Sequence, residues 1–153
     1  MASALLGAVM LLILNPIRVG TPFGVSNSEA TTIWAYNVMN GLALLGVIAI
    51  LMGLIGLDAS QSEATGVLGL VGFLVAFIGT AQNVGVRWAE TFVLPSVAEV
   101  PPEWVDDPNH GMVLLGTKLG SWILAAGWML FGVATLRAGV YPRAAAIALV
   151  IGW

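Results

Sequence analysis

Few side chains in this sequence are capable of chemistry, and most of those few fall in helical register. Asn83, Arg87 and Glu90 follow one another at spacings of four and three, which puts them on one face of a helix. Arg87 and Glu90 are close enough on such a face to form an ion pair. Gln82 lies one residue off that stripe. Lys118 sits in a later apolar stretch at a similar depth, and Asn37 and Asn40 enter an earlier one from the same side. The spacing therefore predicts an outward-facing polar cluster of Asn40, Asn83, Arg87, Glu90 and Lys118.

Two kinds of role fit such a cluster. In the structural one, Arg87 and Lys118 extend to the outer headgroups, Glu90 neutralises them, and the asparagines bond between helices. In the functional one, the residues form a solute or ion vestibule, or hold a proton-relay carboxylate. All of them lie near the outer ends of their apolar stretches, where extended basic side chains reach the interface. The inner halves are apolar or small, so no continuous polar path is predicted through one copy.

The remaining candidates carry less. His110 is the one histidine and stands beside Asp106, Asp107 and Asn109. Structural and catalytic zinc sites take three or four ligands, and this spacing is that of a loop. Axial ligation of a pigment in a larger assembly is open to His110, but nothing in the sequence favours it. With no cysteine in the chain, disulfides, thiolate nucleophiles and Cys-ligated metals are excluded. No Ser-His-acid set, carboxylate pair or HExxH is present, and the 19 glycines make no phosphate-binding loop. No catalytic residue, cofactor or metal is assigned, and the reading is non-enzymatic.

The elements that position these residues follow from composition. Of 153 residues, 59% are hydrophobic and 8% charged, and the mean hydropathy is +0.97. Soluble domains carry about 25% charged residues, so this chain cannot coat a water-facing surface. An ordinary soluble enzyme and a disordered tail are excluded. Five Lys and Arg residues against a net charge of −3 exclude a nucleic-acid partner and a polybasic lipid-binding tail. The expected partners are membrane lipids and other membrane-protein subunits.

The fold class is all-α, a polytopic transmembrane bundle in one domain over residues 1–153. About 20 apolar residues cross the hydrocarbon core. Spans are predicted at about 1–16, 38–57, 64–94 and 111–137, with a partial fifth at 142–153. The first ends at Asn15-Pro16; no basic residue precedes it and no small-residue cleavage site follows before Arg18, which favours a membrane helix over a signal peptide. A capping-box pattern at Ser26–Glu29 starts a helix too long for one crossing if it runs to Leu57, so it projects from the membrane or breaks near Gly41. Trp34 and Tyr36 then lie at headgroup level. A second such pattern, Ser60–Glu63, opens the third span, and Pro95 stops it.

The polar loop 95–110 holds a short interfacial helix at Pro101-Pro102-Glu103-Trp104, and Asp107-Pro108 caps the fourth span. Gly139 closes that span. Pro142 begins a helix too short to cross before the sequence ends, so a longer protein is expected. Arg137 and Arg143 place their connection in the cytoplasm by the positive-inside rule. The N-terminus is then cytoplasmic as well, although Arg18, Arg87 and Lys118 on the outer side nearly balance the count.

Small residues let helix backbones approach in lipid. Gly69, Gly72 and Gly79 continue the Asn83 stripe inward, and Gly116, Gly120 and Gly127 lie on the fourth span. These six predict that spans three and four are packed neighbours. The methionines read as packing, and Trp122 and Trp128 as lipid or partner contacts.

Two segments, Trp88-Ala89-Glu90-Thr91-Phe92-Val93-Leu94-Pro95 and Gly132-Val133-Ala134-Thr135-Leu136-Arg137-Ala138-Gly139-Val140-Tyr141-Pro142-Arg143, resemble a group of small polytopic bacterial membrane proteins. The likeness extends over most of the chain, including Asn15-Pro16. It implies about six helices and a prokaryotic cytoplasmic membrane, and it supplies no reaction. The function expected is that of an accessory or scaffolding subunit packed against a larger membrane complex. The alternative is a transporter- or channel-like protein with an outward polar vestibule, and a lipid-modifying enzyme ranks last.

Overall fold

The computed structural model describes residues 25–98, 106 and 111–151. These residues are all-helical, with no strand among them. The predicted first span, the Pro101–Trp104 helix, the Asp107-Pro108 cap and His110 lie outside the described residues.

Helix α1 covers Asn27–Thr32, α2 Trp34–Trp88, α3 Leu94–Ala98, α4 Gly111–Ala138 and α5 Arg143–Ile151; a π-helical turn, Ala89–Val93, joins α2 to α3. The Ser26 capping box forms: the Glu29 amide donates to Ser26 Oγ and the Ser26 amide donates to Glu29 Oε2. The break after it falls at Ile33, whose ψ of 116° is extended, and Gly41 lies within continuous helix. The cause is local. Thr31 and Thr32 turn their hydroxyls onto the Ser28 and Glu29 carbonyls, and Asn37 Nδ2 takes up the Thr31 carbonyl at 2.7 Å. Side chains thus satisfy backbone acceptors at the break.

The decisive feature of α2 is Gly66, with φ 58° and ψ −149°. Glycine alone enters such conformations without a Cβ clash. It divides α2 into arm α2a, residues 34–65, and arm α2b, residues 67–88. The Ser60–Glu63 pattern therefore opens no helix. Ser60 donates to the Leu57 carbonyl and Thr65 to the Gln61 carbonyl inside α2a, and the reversal comes later, at Gly66.

The arms fold back on each other. Leu54 and Ala76 share one buried cluster with Ile50, Trp128 and Phe131, whereas a straight helix would hold Leu54 and Ala76 about 33 Å apart. Along α2a the buried positions Tyr36, Asn40, Ala43, Val47, Ile50 and Leu54 alternate spacings of four and three, the seam of a left-handed helix pair. Gln61 Nε2 donates to Thr135 Oγ1 at 2.8 Å, and Ser60 and Tyr141 share a hydrogen bond. The Gly66 reversal and the α4–α5 connection, with Arg137 and Arg143, thus lie at one end.

Pro95 does not end the helical path. The π turn Ala89–Val93 precedes it, with the Leu94 amide bonded to the Ala89 carbonyl five residues back. A widened turn gives room to a ring that would otherwise strike the preceding turn. Gly139, at φ 66°, ends α4, and α5 returns to pack on α4.

Two described helices are long and apolar enough to cross a membrane, Trp34–Val97 and Gly111–Ala138. Of the predicted spans, the first lies outside the described residues, the second and third fall within one helical stretch interrupted at Gly66, the fourth matches Gly111–Ala138, and α5 has nine residues. Trp128 also departs from its predicted outward role. It is 3% exposed, and its Nε1 donates to Thr80 Oγ1 at 3.1 Å, while Trp122 is 75% exposed.

Candidate functional site

Arm α2b and α4 run antiparallel, and glycines set how close they come. A Cβ at Gly72 would lie 2.6 Å from the Phe131 nitrogen, and one at Gly79 would lie 2.5 Å from Leu124 backbone atoms. From the other side, a Cβ at Gly127 would collide with the Ala76 backbone. Here the two main chains touch, and the space between them is closed. Thr80 lies in this closed zone, its hydroxyl donated to the Ala76 carbonyl and its oxygen receiving the Trp128 indole.

The other glycines named from the sequence behave differently. Gly69 faces the Thr65 side chain of its own chain, next to the Gly66 reversal, and is no helix–helix notch. A Cβ at Gly116 would meet nothing within 4 Å, so its place in a GxxxG does not translate into contact. What Gly116 offers is its carbonyl, which accepts from Gln82 Nε2 at 3.1 Å. Gly120 makes room for that glutamine: a Cβ there would lie 2.8 Å from Gln82 Cδ.

Beyond Gln82, away from the Gly66 end, α2b and α4 part around a cavity of about 150 Å³. Asn83, Val86, Arg87 and Glu90 line it from the α2 side, continuing into the π turn. Thr117, Gly120 and Ser121 line it from α4. Arg87 NH1 donates to Glu90 Oε2 at 3.0 Å, and these side chains are 18% and 24% exposed. The charges therefore neutralise each other at the cavity wall. Arg87 Nε is enclosed without a hydrogen-bond partner.

Thr117 Oγ1 donates to the Val113 carbonyl and Ser121 Oγ to the Thr117 carbonyl, each at 2.9 Å. Both hydroxyl oxygens keep lone pairs for an acceptor role. Asn83, Arg87 and Glu90 thus line one cavity. Asn40 and Lys118 do not line it: Asn40 is 2% exposed on the seam of α2a with its Nδ2 unpartnered, and Lys118 is exposed on α4.

Thr117, Ser121 and Gln82 are the residues that complete the site. A signal for the first two was present in their spacing of four beside Gly120. Asp106, grouped with His110 in the sequence, instead accepts from the Ser28 amide and hydroxyl at 2.8 and 2.7 Å, a structural tie to α1. Among the described residues no group of three His, Asp or Glu side chains is placed to hold a metal ion. No family model, curated protein or solved structure matches the chain.

Proposed function

We propose that the chain is a multi-pass protein of a prokaryotic cytoplasmic membrane that serves as an accessory or scaffolding subunit of a larger membrane complex. In this reading α2a, α2b and α4 each cross the bilayer. The Gly66 end, which carries Arg137 and Arg143, faces the cytoplasm, as does the N-terminus.

One observation carries the reading. The backbones of α2b and α4 meet at Gly72, Gly79 and Gly127, while the outward faces carry Leu70, Leu74, Ile78, Leu115, Leu119 and Trp122. Two described helices packed this closely offer apolar surface to a partner and little room for a conduit between them. Extraction in mild detergent, followed by size measurement and mass spectrometry of co-purifying chains, tests this. A defined complex with another membrane protein is expected; a monodisperse species holding this chain alone overturns it.

A second reading draws on the cavity: an outward vestibule for a solute, completed by further helices or by oligomerisation. Flux into proteoliposomes that falls in Arg87→Ala and Glu90→Gln supports it, and flux equal in both variants to the parent chain removes it.

A further inference from the structure

We infer that the cavity between α2b and α4 binds a small uncharged polyol of about six heavy atoms. The assignment rests on the vestibule reading and names the chemistry that such a vestibule would accept.

Size sets the first limit. A cavity of about 150 Å³ equals one that admits benzene, a six-atom ring, in an apolar setting. Here the lining is polar, so the matching occupant is polar too. Charge sets the second limit. Arg87 and Glu90 are already joined at 3.0 Å, and an ionic ligand would have to displace one of them or shed its hydration against a neutral wall.

Hydrogen-bond inventory sets the third. Thr117 and Ser121 spend their protons on their own helix, and Gln82 spends an amide proton on the Gly116 carbonyl. Two hydroxyl oxygens and Gln82 Oε1 are left as acceptors. Asn83 lines the same space and its side chain makes no hydrogen bond among the described residues, so it supplies one further acceptor and two donors. Arg87 Nε, enclosed without a partner, adds a further donor, so the wall presents donors and acceptors together, and a hydroxyl group, which donates and accepts at one atom, answers both. Hydroxyls also turn to accept from the Asn83 amide, as a rigid ion of fixed polarity does not.

The test uses three probes of equal heavy-atom count and different charge: glycerol, lactate and 3-amino-1,2-propanediol. Saturation-transfer NMR is recorded on the purified full chain in detergent, with each probe at the same millimolar concentration. Transfer to glycerol at least tenfold above that to either charged probe is expected. Ser121→Leu and Asn83→Leu, which fill the cavity from opposite helices, are expected to reduce the glycerol signal to background.

Equal or stronger transfer to a charged probe overturns the assignment, as does a glycerol signal unchanged in a folded leucine variant. The charge comparison needs no variant and decides the matter if both substitutions prevent folding. Glycerol influx into proteoliposomes separates the two proposals. Binding without influx upholds the polyol site and removes the transport role; ion flux without glycerol binding does the reverse.

Discussion

At the scale of single residues, the polar groups fall into two kinds with different consequences. Those in the closed zone between α2b and α4 act as fasteners. Trp128 is buried against Thr80 and meets Phe131 edge-on at a centroid distance of 6.3 Å. Trp128→Phe keeps most of the ring but removes the indole donor. A cost of about 1 kcal/mol is expected, seen as a lower melting temperature in detergent. Trp122→Phe, at a side chain 75% exposed, is expected to leave that temperature unchanged. The Asn83, Arg87 and Glu90 grouping was legible because spacing within one helix dictates a shared face. The pairing of Trp128 with Thr80 was not, since no local rule relates two residues 48 positions apart. It depends on the register between α2b and α4, which backbone contact at the glycines sets.

At the scale of elements, glycines that look alike in sequence have opposite roles. Gly127 abuts the Ala76 main chain, which has no side-chain end to move aside, whereas Gly116 faces open space. Gly127→Val is expected to destabilise the helix pair by roughly 1–3 kcal/mol or more through overpacking. Gly116→Ala is expected to be neutral or stabilising by up to about 1 kcal/mol from helix propensity. Thermal unfolding of both variants in one detergent checks the pair, and equal effects would contradict the assigned register. The element boundaries show what local pattern conveys and what it does not. Ser26 and Glu29 cap a helix, but Ser60 and Glu63, with matching residue types, lie inside one. The reversal belongs to Gly66, one glycine among 19, and its left-handed backbone leaves no mark on the residues around it. Pro95 read as a terminator because proline cannot continue a regular α-helix, and a π turn ahead of it lifts that constraint.

At the scale of the whole molecule, the helical class was legible in the long apolar stretches that a chain with 8% charged residues leaves between its short polar segments. How the apolar stretches join was not evident, because the connection at residues 58–65 is helical and only one residue breaks it. The resulting shape has two unlike ends. One holds the Gly66 reversal, the Gln61–Thr135 bond and the arginines of the α4–α5 connection. The other holds the polar cavity and the π turn. The central claim is that a bilayer lies between those ends. The chain has no cysteine, so single introduced thiols report without background. Ser62→Cys marks the first end and Ser96→Cys the second, both at exposed positions. Labelling of intact cells with a membrane-impermeant maleimide is predicted to modify Ser96→Cys and to spare Ser62→Cys until the membrane is permeabilised. Modification of both positions from the same side, or recovery of the chain in the soluble fraction without detergent, would contradict the account.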